Sequence, residues 1–327
     1  MQDTPASIGR RLHSAHRYVE DVDVGAHSVS GWALQYDQLS AGRYAGEIRE
    51  VRFLDVQAFH ESMNRMVHHR GRFPGDAMVF GIATHATGDC YFEGERVKPG
   101  SLMLCPSGGP IDFRTPLSME LLSVSIDARR VRDVFARIGI DLARYERRPA
   151  LRLCEPGPKV DAIHAILKEI FWLSGHAADR LGFGAVQREL EDRLLLAFAD
   201  LLPETGEAGG DATLGARRQL VRKACEHVLD NLGDSPSILD LCARLGTSRR
   251  KLNYCFQEVL GVSPVQYLRA LRLNGARRDL KQPGRLTRSV QDISGKWGFW
   301  HQGQFGQYYR AMFGEAPSET LRHGAGA

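Results

Sequence analysis

The sequence predicts an α+β chain in two domains. The first is built from short strands followed by a helical pair. The second is all-α and holds two helix-turn-helix units joined by a linker helix. Three observations predict this: short apolar or alternating runs before residue 127, apolar residues at helical spacing from residue 159, and a C-terminal third that repeats itself at a nearly constant offset. A chain of 327 residues is long enough for two cores.

The runs VSGWALQY (29–36), EIREVRFLDV (47–56), AMVFGIAT (77–84), SLMLCPSG (101–108) and MELLSVSI (119–126) are separated by Gly, Pro, Asp or Ser. Strands this short, with such turns, suggest a β-barrel or sandwich over residues 1–158. Next, Ile163, Ile166, Leu167 and Ile170, then Leu190, Leu194, Leu195 and Phe198, mark two amphipathic helices within 159–202. PETGEAGGDATLG (203–215) has the Gly and Pro content of a linker, and 216–327 form the last domain.

That last domain contains one supersecondary unit twice. ILDLCARLG (238–246) matches VQDISGKWG (290–298) at an offset of 52, and LGVSPVQYL (260–268) matches FGEAPSETL (313–321) at 53. In the first copy Ser237 or Ser235 caps a short helix, Gly246 ends it, and Ser248 caps a second helix with Leu252, Cys255, Phe256 and Val259 on one stripe. Two short helices around a glycine turn are a helix-turn-helix. PVQYLRALRLNGARRDLK (264–281) has few breakers and reads as one connecting helix, with Tyr267, Leu268, Leu271 and Leu280 buried. Such a rod would hold two readers near one DNA turn apart, about 34 Å.

Opposite the first apolar stripe lie Arg250, Tyr254 and Gln257, bordered by Arg249 and Asn253. Arginine pairs bidentately with guanine, and asparagine with adenine, in a major groove that admits a helix. In the second copy Trp300, Gly303, Gln304, Gln307 and Arg310 point outward, with His301 and Gln302 beside them. Glycine inside a helix costs about 0.5–1 kcal/mol relative to alanine, so Gly303 and Gly306 need a reason: close approach to DNA, or tight packing on another helix. Charge agrees with a nucleic-acid partner. Residues 211–327 carry 18 Lys and Arg against 10 Asp and Glu, while the first 210 carry 25 against 29.

RLNGARRDL in the linker helix, WGFWHQGQFGQYYRAMFGEAPSETLR in the second unit and the terminal Pro317 closely resemble the DNA-binding domain of AraC/XylS-type transcriptional regulators. The resemblance implies a cytoplasmic activator that binds double-stranded promoter DNA and meets RNA polymerase. Base contacts would fall on Arg250, Asn253 and Tyr254, and on Gln302, Gly303, Gln304 and Gln307. Gly303 departs from the family pattern, standing where a side chain usually reads a base. The resemblance further implies a cupin-like β-barrel sensor at the N-terminus. WALQYDQLSAGRYAGEI (32–48) is similar to regulators of ethanolamine-utilisation operons, which implies ethanolamine and a cobalamin as effectors.

Aromatic and acidic chemistry suits a cationic amine, which makes Trp32, Tyr36, Tyr44, Glu47 and Phe80 candidate effector residues; the plainer reading of each is core or solvated surface. Effector binding would then alter the packing of the 159–202 helices, which also offer a surface for a homodimer. Enzyme chemistry finds little support. His60, His68, His69 and His85 lack the spacing of a cupin metal site, and His68 and His69 point to opposite sides of an extended chain. No GxSxG elbow occurs, and no phosphate-binding glycine motif follows a strand. The six cysteines form no CxxC pair and read as small packing residues, with no metal and no catalytic group expected. No apolar run is long enough to cross a membrane, and the N-terminus lacks an apolar signal-peptide core.

Overall fold

The computed structural model describes residues 12–105, 107–141, 152–202, 212–231, 236–282 and 289–325. The N-terminal domain comprises β1 (His13–Val19), α1 (Val22–Ala26), β2 (Ala33–Gln38), β3 (Gly46–Phe53), β4 (Val56–Met63), β5 (Val67–Arg72), β6 (Ala77–Ala86), β7 (Cys90–Phe92), β8 (Glu95–Val97), β9 (Leu102–Cys105), β10 (Pro110–Arg114), β11 (Met119–Asp127), α2 (Ala128–Arg137) and β12 (Arg152–Cys154). They build a seven-stranded sheet, β1-β3-β4-β11-β6-β9-β12, and a five-stranded sheet, β2-β5-β10-β7-β8.

The expected barrel is therefore open: two sheets face each other, and among the described residues no ladder joins them. Closure needs strands long and tilted enough to run from one sheet into the other. The end strands β8 and β12 have three residues each. The run taken as one strand over 47–56 is two, because the chain turns back at Leu54 and Asp55 between β3 and β4. The core between the sheets contains Tyr36, Phe59, Val79, Met103 and Phe113.

The helical pair forms as expected, as α3 (Pro158–His176), a short α4 (Ala178–Leu181) and α5 (Gly184–Leu201). Its apolar faces pack on the outer side of the seven-stranded sheet, where Phe80 stacks on Phe198 with ring centroids 3.5 Å apart. Of the linker expected over 203–215, residues 203–211 lie outside the described residues, as does Ser235, while 212–215 open α6 (Ala212–Asp230).

The C-terminal domain continues with α7 (Ile238–Arg244), α8 (Arg249–Leu260), α9 (Pro264–Lys281), α10 (Val290–Lys296), α11 (Gln302–Phe313) and α12 (Pro317–Ala325). The repeat is visible in its caps. Ser237 with Asp240 and Ser289 with Asp292 form equivalent capping boxes on α7 and α10. Gly246 and Gly298 follow those helices at φ 59 and 74, a backbone region that glycine enters at little cost. Two cores flank the 18-residue α9, about 27 Å long at 1.5 Å per residue. Tyr267, Leu268 and Leu271 enter the first, Leu273, Ala276 and Leu280 the second.

Candidate nucleic-acid interface

The first reading helix begins three residues after Gly246 and the second four residues after Gly298, so the extra residue lies in the second turn. From there the offset is 53. Arg249 corresponds to Gln302, Arg250 to Gly303, Asn253 to Gly306, Tyr254 to Gln307 and Gln257 to Arg310. All ten are surface positions, Gly306 being half-buried and the other nine exposed. The second helix thus has no side chain where the first presents Arg250 and Asn253.

Packing explains neither glycine, since a Cβ built at Gly303 or Gly306 would meet nothing within 4 Å. Trp300, His301, Gln304 and Arg310 are exposed around them, Trp300 at 80%. Three of the expected readers also have partners within the protein. Gln302 Nε2 donates to Ser294 Oγ at 2.7 Å and ties α11 to α10, and Gln304 Nε2 donates to the Tyr308 hydroxyl at 3.0 Å. The Tyr254 hydroxyl donates to Glu258 at 3.0 Å, with the Arg217 guanidinium over its ring.

The effector candidates divide. Trp32 and Tyr36 line a cavity of about 50 Å³ between the sheets, and Tyr44 is buried nearby with an unbonded hydroxyl. Glu47 does not belong to it: it stands on the edge pair of the seven-stranded sheet, hydrogen-bonded to Arg49 and His16. Phe80 also faces away from the cavity, toward α5. Instead the polar wall consists of Glu61 on β4, His69 on β5 and Ser123 on β11. The Tyr36 hydroxyl donates to Glu61 Oε2 at 3.3 Å, and the Tyr36 ring stacks on His69 at 3.8 Å. Burial pushes the Glu61 carboxyl up to about 7, opposed by the Tyr36 hydrogen bond, and pulls His69 down to about 3. Burial likewise raises the Cys90 thiol to about 11, so this is no activated nucleophile. Among the described residues no group of three or more His, Cys, Asp or Glu is placed to hold a metal, and no helix is long and apolar enough to cross a membrane.

The C-terminal domain docks on the five-stranded sheet, opposite the helical pair. Its α9 carries most of the ion pairs. Arg277, fixed by Glu315 of its own domain at 2.6 Å, reaches Asp21 at 2.9 Å, Arg278 reaches Asp23 at 2.8 Å and Asp37 at 2.7 Å, and Lys281 reaches Asp23 at 3.0 Å. Asn274 exchanges hydrogen bonds with the Gln38 backbone at 3.0 and 2.9 Å, and the Tyr267 hydroxyl meets His68 Nδ1 at 2.8 Å. The second unit is held too, through Gln38 Nε2 donating to the Met312 carbonyl at 2.6 Å and the Gly42 amide donating to the Ala311 carbonyl at 2.9 Å. His68 and His69 point to opposite sides, one toward α9 and one into the cavity. Glu61 and the docking role of His68 escaped the sequence reading; the only signal was the adjacent pair of histidines in an otherwise polar run.

Comparison with known proteins places the same region. Residues 241–323 match the family profile described as "Helix-turn-helix domain". A probable thc operon regulatory protein of Rhodococcus erythropolis is 33% identical over 103 residues, 32% of this chain and 31% of that protein. XylDLEGF operon transcriptional activator 3 of Pseudomonas putida is 36% identical over 100 residues, 31% of this chain and 30% of that protein. A probable AraC family transcriptional regulator from Rhodopseudomonas palustris, of known structure, is 34% identical over 33% of this chain and 98% of its own, with a TM-score of 0.31. The chain thus spans about a third of the length of the curated relatives, whose names concern the thc and XylDLEGF operons rather than ethanolamine utilisation.

Proposed function

We propose that this chain, whose C-terminal third is an AraC-type helix-turn-helix domain, is a sequence-specific transcriptional regulator that activates a catabolic operon in response to a small molecule. One observation carries the reading: a repeated pair of outward helix faces, held on the single helix α9, with Arg249, Arg250, Asn253 and Gln257 exposed on the first and Gln304, Gln307 and Arg310 on the second. The first unit reads bases. The second, without side chains at Gly303 and Gly306, contributes fit and phosphate contacts.

The two-sheet domain is the sensor, taking the part expected of a cupin-like barrel. Its effector is an amine of ethanolamine size. A cobalamin is far larger than the cavity and would have to bind elsewhere. Promoter DNA and RNA polymerase are the macromolecular partners, and the exposed Trp172, Phe183 and Leu196 on and beside α3 and α5 suit a second copy of the chain. The docking contacts carry the effector signal through β2 and β5, in place of the route through the helical pair that the sequence suggested.

The test is fluorescence anisotropy of the full chain on DNA selected from a random pool. Arg250→Ala should lose about 1–3 kcal/mol on the selected site and relax specificity at one base step, while binding to random DNA changes little. Equal losses on both DNAs would remove the base-reading role.

A further inference from the structure

We propose that the cavity between the sheets binds a small primary amine, its ammonium group held by Glu61 beside His69 and its carbon chain lying against aromatic walls. The amine chemistry stands on the cavity alone; its role as a regulatory input rests on reading the chain as a transcriptional regulator.

Glu61 is 1% exposed and His69 4%. Glu61 Oε1 and His69 Nε2 are buried without a hydrogen-bond partner among the described residues, although both side chains line the cavity. Buried polar atoms in native proteins are nearly always bonded, so two orphans lining one cavity, one from each sheet, call for a ligand that bonds them. The charge of that ligand follows from the titratable groups around Glu61. Burial pushes the Tyr36 and Tyr44 hydroxyls up and the His69 imidazole down, so all three are neutral at pH 7. Among the described residues no cation stands beside the Glu61 carboxyl, which burial raises to about 7, so a cationic ligand is what would hold it ionised.

A carboxylate ligand would meet the ionised form of Glu61 as a like charge in a low-dielectric cavity, and an alcohol would supply no charge to hold that form ionised. An ammonium group has three donors and a positive charge. One N–H can reach Glu61 Oε1 and another the lone pair of the neutral imidazole. Trp32, Phe59, Phe73 and Phe113 line the cavity and supply aromatic surface for the carbon chain. The cavity of about 50 Å³ has room for about four water-sized groups at roughly 10–15 Å³ each, which suits an amine of two or three carbons.

The site is wired to the docking surface. Tyr36 and His69 are opposite one another on β2 and β5, as are their neighbours Asp37 and His68. The first pair faces the cavity; the second holds Arg278 and Tyr267 of α9. Any shift of the Tyr36–His69 stack on amine binding is a shift of the ladder that anchors the DNA-binding domain.

Isothermal titration calorimetry of the full chain tests the proposal, with ethanolamine and propylamine against propanol and propionate. The amines should bind one per chain, and Glu61→Gln should weaken them tenfold or more. In the wild-type chain, affinity should rise about tenfold per pH unit up to about pH 7 and then level off, as the Glu61 carboxyl ionises. That profile needs no variant, so it stands even if Glu61→Gln perturbs folding. Equal affinity for propanol or propionate, a flat pH profile, or no binding of either amine would overturn the assignment. DNA affinity is measured separately, with and without amine: no specific binding in either condition would remove the regulator reading and leave the amine site, whereas DNA binding without any amine binding removes only this inference.

Discussion

Nδ1 of His68, on β5 of the N-terminal domain, lies 2.8 Å from the hydroxyl of Tyr267, on α9 of the DNA-binding domain, and both side chains are buried. His68 is fixed from its other nitrogen by Asp112 at 2.7 Å. The contact therefore joins two domains through a histidine whose ring orientation is set, and whose chain neighbour His69 lines the interior cavity.

Tyr267→Phe removes this hydroxyl and keeps the ring in its place against Phe256. His68 Nδ1 is then buried and unbonded, at a cost of about 1–3 kcal/mol. A lower denaturation midpoint, together with faster amide exchange in β2, β5 and α9, is the expected result. Unchanged exchange in those elements would mean that the bond does not hold the domains together.

Acid should release the same interface. Burial alone would raise the carboxyls of Asp21 and Asp37, but Lys281 and Arg277 hold the first, and Arg70 and Arg278 the second, at about 2, below the ordinary 3.8. A lowered carboxyl stabilises the folded state above its ordinary value, and that contribution disappears as pH falls from about 4 to about 2. The thermal midpoint should drop through this interval. In Asp37→Asn the drop should be shallower, and at pH 7 the variant should lose about 3–5 kcal/mol, because Arg70 and Arg278 are left without their buried anion. A variant as stable as the wild type at pH 7 would contradict the pairing.

Gly275 lies under the indole of Trp297, where a Cβ would come within 1.9 Å of Cη2. Trp297 cannot easily retreat, since its Nε1 donates to Asp279 at 2.9 Å and its ring is in the core of the second unit. Gly275→Ala gains about 1 kcal/mol of helix propensity, yet must displace the indole or bend α9. We expect a net loss of about 2 kcal/mol or more, read as earlier melting and altered tryptophan fluorescence of the second unit.

The helical half of the molecule was legible because its signals are local. Serine caps, glycine stops and a 3.6-residue period gave α9 the bounds 264–281 that the structure has. The sheets were harder for a physical reason. The run AMVFGIAT is apolar on both faces, because one covers the cavity and the other packs on α5, so nothing local assigns Val79 to the cavity and Phe80 to the helix. β5, VHHRGR, reads as polar although both of its faces are covered, one by the other sheet and one by α9. Glu47 and Glu61 sit on paired strands, and only the register, with Glu47 opposite Ser62 and Glu61 opposite Ile48, puts them on opposite faces of the sheet. Strand count carries no information about whether the last strands meet, which is why the sequence predicts a barrel where the sheets stay open.

Gly303 and Gly306 permit the sharpest test of the reading faces. Gly306, inside α11, costs the helix about 0.5–1 kcal/mol relative to alanine, Gly303 in its first turn costs less, and neither touches anything that a methyl group would displace. Alanine at Gly306 should therefore stabilise the chain by about that amount, and at Gly303 by less, seen as a higher melting temperature without DNA. On the reading proposed above, these glycines share a surface with Gln304, Gln307 and Arg310 where α11 would come closer to DNA than a side chain allows. The Gly303→Ala and Gly306→Ala double variant should consequently bind its selected DNA site more weakly although its fold is more stable. The two effects have opposite signs, so loss of fold cannot mimic loss of fit. A stabilised variant with undiminished DNA affinity would show that the second helix stands clear of the DNA at these positions, leaving Arg249, Arg250 and Asn253 of the first as the main base readers.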